Sequence, residues 1–147
     1  MKGVKSEIVP DFYIGTTDML KLEQEQPKTL FSIKKFINLE NDLSFVGKWK
    51  EYTNIHHRNS LQFSEKNNYV NYLVSITEMI YNSLQEDEPI FVCCDSCNQK
   101  APLVAVVFLI RYGRLSLQNA LRSVISKLPN SPFQPTLENL DVLKTFL

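Results

Sequence analysis

All three cysteines of this chain, Cys93, Cys94 and Cys97, fall within one short stretch, "FVCCDSCNQKAP". Lys100, Ala101 and Pro102 follow them directly. Thiols gathered in this way can do three things. A cysteine at a strand's carboxyl end, ahead of a short loop and a cation, can attack phosphorus while backbone N–H groups hold the anion. Cys94-Asp95-Ser96-Cys97 is also a C-x-x-C pair before a helix, the spacing of a thiol redox couple. Cysteine is also a small apolar residue, so a cluster can be packing alone. Zinc suits the stretch poorly. Cys93 and Cys94 are adjacent, so they leave a strand on opposite faces, and the only imidazoles are His56 and His57. No metal and no cofactor is expected.

The segments on either side decide where these thiols stand. "PIFVCC", residues 89–94, has no polar alternation and reads as a central strand covered on both faces. "PLVAVVFLIRY", residues 102–112, is apolar nearly all round and reads as a buried helix, with Pro102 in its first turn. In an open α/β sheet, ligands bind where a strand's carboxyl end meets the next helix. Cys94 to Lys100 occupies that place. The helix start offers unpaired N–H groups and the positive end of its dipole, which depress a thiol's pKa.

Other strands are expected at Asp11–Gly15, Lys34–Leu39 and Glu51–His56. Ser64 can cap a helix running to Leu84, with Tyr69, Leu73, Ile76, Ile80 and Leu84 on its inner face. Ser116 caps a second, with Leu117, Ala120, Leu121, Val124, Ile125 and Leu128 as its stripe. Thr136 caps a third, with Leu137, Leu140, Leu143 and Leu147 inward. The order predicts an α/β three-layer sandwich with a short central sheet of about four to five strands flanked by helices.

The chain has 147 residues, the size of one domain, and residues 1–147 are read as such. Sixteen basic residues balance sixteen acidic ones, which gives no bulk attraction to nucleic acid or to a membrane. The apolar run from Ala101 to Ile110 is too short to span a bilayer. The opening "MKGVKSEIVP" lacks the apolar core of a signal peptide. An odd number of clustered cysteines is no disulfide framework, so a reducing compartment, cytoplasm or nucleus, is expected.

Several segments, in order, resemble the dual-specificity phosphatases, which have the cysteine-dependent protein tyrosine phosphatase fold. "IVPDFYIGTTDML" is similar to that family's opening strand, and "IKKFINLENDL" and "YTNIHH" to its next two. The stretch from "LIRYGRLSLQNAL" to "LENLDVL" is similar to its closing pair of helices. The family's signature is His-Cys-x-x-Gly-x-x-Arg-Ser/Thr. Here that frame reads Cys93-Cys94-Asp95-Ser96-Cys97-Asn98-Gln99-Lys100-Ala101. The resemblance puts the nucleophile at Cys94 and the phosphate loop at Cys94, Asp95, Ser96, Cys97, Asn98, Gln99 and Lys100.

Around Cys94 the signature is altered. Lys100 replaces an arginine whose planar fork grips two phosphate oxygens, and a lysine is only a point charge. Cys97 places a Cβ where the family has glycine. Ala101 lacks the hydroxyl that, in the family, hydrogen-bonds the nucleophile and helps it leave. Cys93 stands where an imidazole orders the loop. The family's general acid is an aspartate after the third strand, yet "HHRNSLQFSEKN" contains none. Asn59 stands near the place and cannot donate a proton, and Glu65 lies later. The resemblance therefore implies a pseudophosphatase that binds a protein or phosphorylated ligand, with a phosphate or sulfate able to enter the loop. A weakly active cysteine-dependent phosphatase and a Cys94/Cys97 redox module are the alternatives. A further one is the phosphatase-like domain that ends initiator tRNA phosphoribosyl transferases, which is similar at "VCCDS" and at the closing "LPNSPFQPTLENLDVLKTFL".

Other residues have plainer roles. His56, His57 and Arg58 are a solvated loop or an anion-binding rim. Trp49 is either a partner's anchor or, as expected, a half-buried packing residue. Arg111 and Arg114 suit ion pairing or surface, and "KLEQEQPK", residues 21–28, is a charged connection.

Overall fold

The run Ile90–Cys94 forms a strand in which every side chain is buried, as its lack of polar alternation requires. It is the middle strand of a five-stranded sheet. The computed structural model describes residues 5–19, 33, 35–39, 51–54, 66–94, 100–128 and 133–147. Within them lie β1 (Lys5–Val9), β2 (Phe12–Thr16), β3 (Lys35–Asn38), β4 (Glu51–Asn54) and β5 (Ile90–Cys94). The helices are α1 (Lys66–Gln85), α2 (Lys100–Arg111), α3 (Leu117–Ser126) and α4 (Leu137–Lys144). The sheet order is β1-β2-β5-β3-β4. Strands β2, β5, β3 and β4 run parallel, and β1 is antiparallel to β2 at the edge. Four of these strands match the sequence expectation. β1 is additional.

The sheet has two buried faces. Phe12 and Ile14 of β2 share one with Ile37 of β3 and with Ile90, Val92 and Cys94 of β5. That face packs against α1 and α2, and Val124, Val142 and Leu143 of the last two helices join the same core. The opposite face carries a smaller cluster of Met19, Ile33, Phe36, Phe91 and Cys93. Helix α2 is buried from Leu103 to Ile110. Arg111 at its end donates to Val74 O at 3.2 Å and to Thr77 Oγ1 at 2.8 Å, which clamps α2 to α1. Its expected ion pairing is with Glu78, at 3.8 Å. Lys127 donates to Ile8 O at 2.6 Å and ties the end of α3 to the edge strand.

Of the three expected hydroxyl caps, the two within the described residues form. Ser116 Oγ and Thr136 Oγ1 each accept a backbone N–H three residues on, at 3.1 Å. Two inward stripes need correction. Leu137 is 86% exposed and Leu147 70%, whereas Val142 and Leu143 are buried. Helix α4 spans only eight residues, so Leu147 lies beyond its end and helical spacing no longer places it. Leu137 opens the first turn, and the side that packs is the one carrying Val142 and Leu143. Ile125, in the last turn of α3, is 44% exposed. The Ser64 cap, residues 21–28, Trp49, His56, His57, Arg58, Asn59 and Glu65 lie outside the described residues.

Helix α2 ends at a close approach. A Cβ on Gly113 would meet Leu109 O at 2.7 Å, and Leu115 N–H returns to that same oxygen at 3.2 Å. Gly113→Ala should therefore lower unfolding free energy by about 1–3 kcal/mol, the usual cost of an overpacked contact. Urea denaturation should show an earlier midpoint with an unchanged slope.

Candidate functional site

The carboxyl ends of β2, β3 and β5 converge on Cys94. Thr17 N–H donates to Cys94 O at 3.0 Å, and Leu39 N–H donates to Cys93 O at 2.9 Å. These bonds hold both cysteine carbonyls in line with the sheet, so the chain leaves β5 at one fixed point. Helix α2 begins six residues later. Its second N–H, that of Ala101, donates to Cys94 Sγ at 3.2 Å. A helix's first N–H groups have no partner within the helix, and here one of them is spent on sulfur. The positive end of the helix dipole thus lies on a buried thiol, where the N–H and the dipole act against the burial that disfavours a thiolate.

Two expected site residues are placed. Cys94 ends β5, and Lys100 opens α2, half-buried. Asp95, Ser96, Cys97, Asn98 and Gln99 lie outside the described residues. Cys93 faces the other side of the sheet, fully buried, in register with the equally buried Asn38 of β3. The place of the family's imidazole is therefore a tightly packed interior position.

Two neighbours of Cys94 escaped the sequence reading. Thr16 is its in-register partner on β2. Its Oγ1 is buried and, among the described residues, has no hydrogen-bond partner. Tyr69, expected only as a core residue, lies near the start of α1 and shares the core cluster with Cys94. Burial, and then the charge of Cys94, push its phenol up to about 12. Among the described residues no group of three His, Cys, Asp or Glu side chains could hold a metal ion. No described helix is long and apolar enough to cross a membrane.

Solved structures share this fold. A mouse candidate dual-specificity phosphatase, complexed with zinc tungstate, superposes with a TM-score of 0.72 at 14% identity, over 99% of this chain and 87% of its own. The chain has the fold of a dual-specificity phosphatase. Tk-PTP in its active form gives a TM-score of 0.73 at 19% identity, over 99% and 97% of the two chains. The human tyrosine phosphatase-like serine/threonine/tyrosine-interacting protein gives 0.72 at 13%, over 97% and 94%. No protein-family model matches the chain, and no curated protein matches it.

In this phosphatase fold the Tyr69 phenol has a measurable consequence. Its pKa is raised from 10.0 to about 12 on folding, so the native state keeps a proton that the unfolded chain gives up earlier. The stabilisation is present in full below pH 10 and is lost as pH rises toward about 12. Ultraviolet titration should show a late-ionising tyrosine that Tyr69→Phe removes; burial raises Tyr13 as well. Cys94→Ser should lower the Tyr69 pKa while leaving it above 10.0, because burial, the larger cause, remains.

Proposed function

We propose that this chain is a pseudophosphatase, a phosphatase-fold protein that binds a phosphorylated protein at the head of α2 and hydrolyses phosphate esters little or not at all. The observation that carries the reading is the Ala101 N–H bond to a buried Cys94 Sγ. It supports an anion-favouring environment at the sulfur, at the position where ligands enter α/β sheets. The residues that would turn such a pocket into an efficient catalyst are altered. Lys100 stands for an arginine and Ala101 for a hydroxyl residue, and no aspartate follows β4 before α1. A phosphate held there would meet a point charge rather than a fork, and its leaving oxygen would find no proton donor. One neighbour in fold is itself a phosphatase-like interacting protein. A reducing compartment, cytoplasm or nucleus, suits a protein that keeps its thiols clustered.

The test is hydrolysis of a generic aryl phosphate by purified chain beside Cys94→Ser. The expected result is two rates that do not differ, together with binding of a phosphopeptide in preference to its unphosphorylated form. A robust rate that depends on Cys94 would overturn the inactive reading. The same N–H bond to Sγ favours that second reading, a weak phosphatase. The Cys94 thiolate would then attack phosphorus and break the P–O ester bond, the alcohol leaving as an oxyanion that takes its proton from water, and a second water would cleave the cysteinyl-phosphate to inorganic phosphate and the thiol, with Lys100 a poor stand-in for arginine.

A further inference from the structure

Position 101 gives Cys94 a backbone N–H and no hydroxyl. The sheet offers one from the other side. Thr16 is the last residue of β2 and the in-register partner of Cys94 in β5. Phe12 and Ile14, at alternate positions before it, face the same core as Ile90, Val92 and Cys94. Strand alternation sends Thr16 to that face as well. Neighbouring strands lie about 4.8 Å apart, so rotation about χ1 can bring Oγ1 to Sγ. The hydroxyl has not made that bond: Oγ1 is buried and has no partner among the described residues. Buried hydroxyls without partners are rare in folded proteins, and each calls for a reason. A valine of nearly the same shape would fill this place with no polar atom to satisfy.

We propose that Thr16 is a positioning residue for Cys94, its hydroxyl held in reserve for the thiolate. A neutral thiol is a weak acceptor and gives the hydroxyl little reason to turn. When Cys94 ionises, its proton leaves to water. Sγ then accepts from Ala101 N–H on α2 and from Thr16 O–H on β2. The strand thereby replaces the hydroxyl that Ala101 cannot supply. This rests on the reading of Cys94 as the functional sulfur of the site.

The experiment is a pH titration of thiolate absorbance in the whole chain. The signal of Cys94 is isolated by subtracting a matched Cys94→Ser chain. Of the titratable groups on the elements around Cys94, Tyr69 on α1 and Lys100 on α2 stay unchanged throughout. Thr16→Val should raise the Cys94 midpoint by about one pH unit, the size of one hydrogen bond to a charged group. Thr16→Ser should restore the parent midpoint. Thr16→Ala carries the same expectation as valine and keeps the comparison open should valine not fold. A parent-like midpoint in Thr16→Val or Thr16→Ala would overturn the proposal, as would a serine chain that titrates like valine. Failure of phosphopeptide binding, with the Thr16 shift intact, would instead count against the functional reading alone.

Discussion

Lys100→Arg should tighten phosphopeptide binding by about tenfold or more, because the planar fork adds a second hydrogen bond to a charged group, worth roughly 1.5–3 kcal/mol. Lys100 is the first residue of α2, one position before the N–H that reaches Cys94 Sγ. An anion drawn to those N–H groups therefore lies beside the side chain at position 100. Lysine meets it with one ammonium on a flexible stem. Arginine would meet it with a planar pair of donors matched to two oxygens. Both carry one positive charge, so the gain is one of geometry. Two controls follow. Affinity for the unphosphorylated peptide should not change, and the slope of affinity against salt should be the same in both chains. Hydrolysis should stay low, because arginine restores grip on the phosphate but supplies no proton to the leaving oxygen. Unchanged or weaker binding would mean that the phosphate is not held at the head of α2.

The fold was legible wherever burial dictated the pattern. The run "IFVCC" had to be a central strand because no side chain in it can face water, and the sheet is built around it. The helix after it was legible for the same reason, and Ser116 and Thr136 announced the next two by their caps. What escaped was set by neighbours rather than by local pattern. β1 reads "KSEIV", short and carrying two charges, and becomes a strand because β2 offers it an edge to pair with. Leu137 sits three residues before the half-buried Leu140 and Leu147 four after the buried Leu143, yet α4 opens at Leu137 and ends before Leu147, and both stay exposed.

The site divides in the same way. Cys94 and Lys100 follow from their places at a strand end and a helix start. Thr16 and Tyr69 become neighbours of the sulfur only through strand register and helix packing. No local pattern marks either one, since "YIGTT" and "KNNYV" read as an ordinary strand end and helix start. Arg111 shows the limit from the other direction. Ion pairing was expected, but its two bonds to α1 depend on how the helices pack.

Phe12→Ala should be among the most damaging substitutions, lowering stability by about 3–5 kcal/mol. A domain of this size has roughly 5–15 kcal/mol in all, so the loss is a large share. Phe12 is fully buried at the start of β2, on the face that carries Thr16. Its ring meets Phe108 of α2 edge to face, with centroids 5.1 Å apart at 68°. Alanine would leave a cavity between strand and helix and remove the aromatic contact as well. The rigid neighbours on both sides, Ile90 in register and α2 above, leave little room for collapse. Urea denaturation should show a midpoint far below the parent's. Leu147→Ala, at a position 70% exposed, should stay within about 0.5 kcal/mol and serves as the control. The Phe12 contact also fixes how α2 lies over the sheet, and with it the alignment of Ala101 N–H on Cys94 Sγ. If that alignment depends on the packing beneath it, the Cys94 midpoint should rise in Phe12→Ala under conditions where the chain is still folded. An unchanged midpoint would mean that the β5–α2 turn keeps its geometry without support from the core.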